Sequence, residues 1–161
     1  MKKIILVRHA KSSWEFNLED YERPLSERGF NDASLVSKEL CNYKFQLDLL
    51  ISSGALRAKT TADIFISNLE IDKNICSVNH SLYDFSGQDL LQTIKSTNIL
   101  VNNLMLFGHN HAITAFVNIY GNIFIENVPT CGVVILEFDI INWNEIKKGN
   151  TLKTIFPRDL K

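Results

Sequence analysis

Hydrophobic and polar positions along this chain follow two alternating periods. Short continuous apolar runs, such as Ile4-Ile5-Leu6-Val7 between Lys3 and Arg8, mark strands buried on both faces. The run from Leu47 to Ser52 and the stretch Asn103-Leu104-Met105-Leu106-Phe107-Gly108 read the same way, with a shorter strand near residues 75–78. Between these runs the apolar residues recur at helical spacing. Pro24-Leu25-Ser26 supplies a turn and an N-cap ahead of Phe30, Ala33, Val36 and Leu40. Ala58, Ala62, Phe65, Ile66 and Leu69 predict a helix starting near Ala55, and Leu90, Leu91 and Ile94 one from about Gly87 to Lys95. A further helix is expected from about Asn110 to Tyr120. The stretches 132–138 and 151–156 are strand-like with no helical pattern between them, which predicts an antiparallel pair. Strands alternating with helices imply an α/β three-layer sandwich: a mostly parallel central sheet, helices on both faces, and at least one antiparallel strand near the C-terminus. With no repeat, low-complexity tract or linker, residues 1–161 read as a single domain.

Composition narrows the class without changing that picture. No uninterrupted apolar run exceeds four residues, whereas a membrane span needs roughly 20. The N-terminus lacks the long apolar stretch of a signal peptide, so a soluble, cytoplasmic protein without membrane partners is expected. Lys plus Arg total 17 against 18 Asp plus Glu, for a net charge of −1 and no basic block. Binding to nucleic acid through counterion release is therefore not expected. Cys41, Cys76 and Cys131 are odd in number and widely spaced, with no C-x-x-C. They predict neither a disulfide framework nor a zinc knuckle, and read as reduced thiols packed as small hydrophobes.

In open α/β sheets, ligands bind at the carboxyl ends of the strands. The first strand ends in Arg8-His9-Ala10-Lys11-Ser12-Ser13-Trp14. The second leads into Ser52-Ser53-Gly54-Ala55-Leu56-Arg57, and the strand at 103–107 into Gly108-His109-Asn110-His111. Three strand-to-helix junctions thus bring two histidines and two arginines to one sheet edge. Guanidinium groups suit bidentate capture of phosphate oxygens, and paired imidazoles can supply a nucleophile and a further donor. His109-x-His111 has no nearby Asp, Glu or Cys to complete a metal-ligand set. The pattern reads as a phosphoryl site that works without a metal or other cofactor. His80 and His111 read as surface or packing residues.

Arg8-His9-Ala10 after a first strand, Arg57 within Ser-x-x-x-x-Arg-Ala-x-x-Thr, and Gly108-His109 late in the chain resemble the histidine phosphatase (phosphoglycerate mutase-like) superfamily. The Arg-His-Ala-Lys-Ser start and the segment Asp20-Tyr21-Glu22-Arg23-Pro24-Leu25-Ser26-Glu27-Arg28-Gly29 are similar to those of the short bacterial SixA-type phosphohistidine phosphatases. The resemblance implies that His9 is the nucleophile and takes the phosphoryl group on a ring nitrogen. It also implies that Arg8, Arg57 and His109 form the phosphate pocket. Arg23 would add a guanidinium to substrate or serve as a structural loop pair. Lys11, Ser12 and Trp14 are candidates for the pocket entrance.

Two departures from the wider pattern stand out. Relatives often carry Asn seven positions after the first Arg, where this chain has Glu15. Many use a Glu or Asp general acid in a Leu-x-acid segment, and Leu82-Tyr83-Asp84 offers Asp84 there, with an ordinary turn residue as the alternative. The expected activity is a metal-independent phosphatase acting through a phosphohistidine intermediate. Its expected partner is a phosphorylated protein, such as a histidine-containing phosphotransfer domain or carrier, and inorganic phosphate is the product. The alternative is a small phosphorylated metabolite; a non-catalytic phosphate-binding module is a third reading. Little chain lies between Leu69 and Asn103 for a lid, which predicts an open, shallow pocket.

Overall fold

The computed structural model describes residues 1–161. The strands are β1 (Lys2–Arg8), β2 (Leu49–Ser52), β3 (Cys76–Val78), β4 (Asn103–Gly108), β5 (Val133–Phe138) and β6 (Asn150–Ile155). The helices are α1 (Glu27–Leu40), α2 (Leu56–Asn68), α3 (Gln88–Lys95) and α4 (Ala112–Tyr120). All six strands join one sheet in the order β3-β2-β4-β1-β5-β6. The first four strands of that order are parallel, while β5 runs antiparallel to both β1 and β6. The antiparallel pair expected at the C-terminus is present, and it is joined to the parallel part through β1. No helix is long and apolar enough to cross a membrane.

Strand pleating explains why the apolar runs are continuous. Ile4 and Leu6 point into one core with Leu90, Ile94, Ile113, Phe116 and Val117 of α3 and α4. Ile5 and Val7 point into the other with Ala33, Val36, Leu40, Ala62 and Phe65 of α1 and α2. A strand that serves two cores has no polar face to alternate with. Full burial of each such side chain contributes about 1.5–3 kcal/mol.

Ser26 caps α1 as the sequence predicts, its side chain accepting the Gly29 N–H at 3.1 Å. Gly29 also lets α1 approach the loop after β1, because a Cβ there would run into the Lys11 carbonyl. The buried face of α1 is Gly29, Asp32, Ala33, Val36 and Leu40, while Phe30 is exposed. At 3.6 residues per turn Gly29, not Phe30, is in phase with Ala33 and Val36. Asp32 is fully buried on that face, where its carboxylate meets Lys161 at 2.9 Å and Arg28 at 3.5 Å. Of the three thiols expected to pack as small hydrophobes, only Cys131 is buried. Cys41, just past the end of α1, is exposed, and Cys76 is half-buried.

Register is what assembles the functional edge. Arg8 lies opposite Gly108, and Ser52 opposite Phe107. The chain leaves all three strands at one level: the His9 N–H donates to the Gly108 carbonyl (3.1 Å) and the Ser53 N–H to that of Phe107 (2.9 Å).

Candidate active site

His9 sits at the end of β1 with its ring nearly buried. Its Nδ1 is 2.7 Å from the Ala10 carbonyl oxygen. A carbonyl only accepts, so Nδ1 carries the proton and Nε2 keeps its lone pair. The Arg57 Nε–H points at that lone pair from 3.4 Å. Burial, and then the positive charges of Arg57, Arg8 and Arg23, push the His9 pKa down to about 3, against the opposing pull of the Ala10 carbonyl. The imidazole is therefore neutral at ordinary pH, with its ring orientation fixed and its Nε2 lone pair free.

His109 faces His9 with ring centroids 5.2 Å apart. Its Nε2 lies 2.8 Å from Ser53 Oγ, which also accepts the Ala55 N–H at 3.2 Å. The Ser53 hydroxyl can donate to Nε2 or accept from it, and Nδ1 is a buried atom with no protein partner. Burial, then proximity to His9 and Arg57, lowers the His109 pKa to about 3. Tyr83 and Phe85 pack against its ring at 5.3 and 5.1 Å.

Three arginines surround the pair. Arg8 donates Nη1 to the Val128 carbonyl at 2.8 Å, while its Nε is buried without a partner. Arg57 is buried near the N-terminus of α2 and gives Nη1 and Nη2 to the Asp20 carbonyl (2.5 Å) and carboxylate (2.8 Å). Arg23 is buried as well. It donates to the Ser13 carbonyl, the Ser12 hydroxyl and Asp20 Oδ1, and its guanidinium lies 3.2 Å from the centre of the exposed Trp14 ring. Of the two roles open to Arg23, these contacts describe the loop pair. Ser12 and Trp14 serve Arg23, and Lys11 is exposed with its carbonyl bound by Ser26.

Asp84, the candidate general acid, is nearly buried at the entry to α3. One oxygen accepts the Ser86 N–H and hydroxyl, and the other the N–H groups of Gly87, Asp89 and Leu90. Burial raises its pKa, but these donors outweigh burial and hold it below the usual carboxylate range. An ionised carboxylate with both oxygens engaged is a helix cap. That geometry suits the turn-residue alternative, not a proton donor. Glu15 is exposed.

Sequence reasoning assigned no role to Asp20, Ser53 or Tyr83. Asp20 stands three residues before Arg23, in the short helical turn Asp20–Glu22, and binds both Arg23 and Arg57. The Tyr83 hydroxyl donates to Asp20 Oδ2 at 2.6 Å. The cover over Arg57 thus comes from Asp20, in the connection between β1 and α1, with Tyr83 bonded to it from within residues 69–103. Tyr21 and His80 meet at 2.5 Å above Gly54, where a Cβ would displace both. No group of three or more His, Cys, Asp or Glu is arranged to hold a metal ion.

Comparison with known proteins places this arrangement in context. The family model for the histidine phosphatase superfamily (branch 1) matches residues 4–79, a span that holds Arg8, His9, Asp20, Arg23 and Arg57. An uncharacterized chloroplastic protein of Arabidopsis thaliana is 27% identical over 154 residues, covering 89% of this chain and 70% of that one. An uncharacterized protein of Mycobacterium tuberculosis is 25% identical over 153 residues, covering 89% and 93%. Among solved structures, the protein histidine phosphatase SixA complexed with tungstate superposes with a TM-score of 0.83 over 99% of both chains, at 18% identity. A SixA protein of Agrobacterium tumefaciens, assigned as a phosphohistidine phosphatase, has a TM-score of 0.79 over 96% of this chain and 97% of its own, at 23% identity. At these identities the structural likeness is one of fold.

Proposed function

We propose that this chain is a histidine-type phosphatase, that His9 carries the phosphoryl group and that the substrate is a phosphohistidine on a partner protein; the family-model match over residues 4–79 and the fold shared with SixA support the reading. In the first step the His9 Nε2 lone pair attacks phosphorus in line. The bond from phosphorus to the substrate imidazole breaks, its electron pair stays on the leaving nitrogen, and that nitrogen takes a proton from solvent. Water then attacks the phosphorus on His9, loses a proton to solvent, and releases inorganic phosphate with His9 regenerated. The Nδ1–H bond to the Ala10 carbonyl holds the ring through both steps and stabilises the phosphoimidazolium. Arg57 Nε, Arg8 Nε and, with the Ser53 hydroxyl donating to Nε2, the His109 Nδ1–H are the donors assigned to the equatorial oxygens.

One observation carries the choice of substrate: the site offers no proton donor for a poor leaving group. Hydrogen bonds from Tyr83, Arg57 and Arg23 outweigh burial and hold Asp20 ionised, and Asp84 is ionised by its cap donors. The Tyr83 hydroxyl donates its hydrogen bond to Asp20, and burial and that carboxylate raise its pKa, so it keeps its proton. An alkoxide leaving group needs such a donor. An imidazole, with a reference pKa of about 6.5, does not.

The test is rapid quench with labelled phosphohistidine protein. Wild type is expected to trap an acid-labile, alkali-stable adduct, and His9→Ala to lose turnover by several orders of magnitude with its fold intact. An acid-stable adduct, or faster turnover of a sugar phosphate than of phosphohistidine, overturns the reading.

A further inference from the structure

Asp20 touches every cation on one side of the pocket without approaching the nucleophile. Its carbonyl and carboxylate take both Nη groups of Arg57, at 2.5 and 2.8 Å. A guanidinium is planar and rigid, so anchoring both Nη groups fixes the direction of the third donor, the Nε–H that faces His9 Nε2. The other carboxylate oxygen holds Arg23 at 3.0 Å, and the Tyr83 hydroxyl that completes the cluster belongs to the ring packed edge-on against His109. Asp20 is also the one carboxylate paired with the arginines of the site. Its charge therefore offsets part of theirs.

We propose that Asp20 is a positioning residue for phosphoryl transfer: it aims the Arg57 Nε–H at the group on His9, and its charge keeps the pocket from retaining the phosphate product. The proposal rests on His9 being the phosphoryl carrier. It has two consequences that a merely structural contact does not have. Losing the carboxylate misaims Arg57, which slows the chemical step by about 10–100-fold. The same loss leaves the pocket one unit more positive, and an inorganic oxyanion binds roughly tenfold tighter.

The experiment compares wild type, Asp20→Asn and Asp20→Glu in the full chain. Tungstate affinity is read by calorimetry, kcat and KM with a phosphohistidine substrate, and folding by thermal melt. Asp20→Asn is expected to lower kcat while tightening tungstate. Asp20→Glu, with its charge restored but displaced by one methylene, is expected to return tungstate affinity to within about twofold of wild type while kcat stays low. The proposal is overturned if kcat is unchanged in either variant, or if kcat and tungstate affinity fall together, as a collapsed pocket requires. Should Asp20→Asn not fold, the Glu variant decides by the same kcat criterion. If wild type turns over no phosphohistidine, or His9→Ala retains turnover, the functional reading fails; the tungstate arm then still decides the charge role of Asp20.

Discussion

Lowering the pH from 7 to 5 should destabilise this protein through the two histidines of the site. His9 and His109 are nearly or fully buried, and both have pKa values pushed down to about 3 from an ordinary 6.5. Between those values the unfolded chain binds protons that the folded chain refuses, so stability rises with pH across this window and falls as pH drops below 6.5. Linkage gives a loss of about 2 kcal/mol per histidine between pH 7 and pH 5. Two such losses, about 4 kcal/mol, are a large share of a typical 5–15 kcal/mol total. Asp20 and Asp84 do not contribute here, because a lowered carboxylate loses its stabilisation only below the ordinary carboxylate range near 4. The assay is urea unfolding of wild type, His9→Asn and His109→Gln at pH 7, 6 and 5. In these variants the amide keeps a donor near Nδ1 of His9, or a polar group near Nε2 of His109. The wild-type-minus-variant difference should shift by about 2 kcal/mol between pH 7 and 5 for each variant. A difference that does not move with pH would mean that the folded histidines titrate normally, and the account of a permanently neutral nucleophile would be wrong.

Other expectations follow from the same geometry. Since His9 is neutral well below pH 6.5, kcat/KM for the free enzyme should show no acid limb near 6.5 that His9 causes; pH profiles with a substrate titrating outside that range check this. Asp84→Asn should lower the unfolding free energy by about 1–2 kcal/mol through the weakened cap of α3, while leaving phosphohistidine turnover within about threefold of wild type, since a residue with no step in the transfer costs little. A large loss of kcat with an unchanged melt would instead make Asp84 the proton donor. Activity should survive exhaustive chelation, because in the proposed mechanism the guanidinium groups of Arg8 and Arg57 supply the charge that a divalent ion supplies elsewhere; loss on chelation with recovery on one added ion counts against the site as described.

The elements and their order were legible because each is written in local chemistry. Ile4 to Val7 and Leu104 to Phe107 are apolar without alternation since both faces of their strands are covered. Ser26 marks the start of α1 because its side chain can satisfy a free backbone N–H three residues on. Arg8, His9, Arg57 and His109 could be expected at one sheet edge for a related reason: each follows or ends a buried strand, and the register brings those strand ends level. What the sequence could not state is how polar side chains choose among partners. Asp84 and Asp20 are both acidic residues in loops. Only the folded chain decides that the N–H groups of α3 converge on Asp84 and make it a cap, and that two arginines and a tyrosine converge on Asp20. Phe30 and Asp32 differ in the same way: helix phase put the phenyl ring in solvent, and Lys161, more than a hundred residues away, made the buried carboxylate tolerable. Hydrophobic burial depends on a residue's own side chain and its period, so it is readable locally. Hydrogen bonding and ionisation depend on which distant groups the tertiary structure brings within about 3 Å.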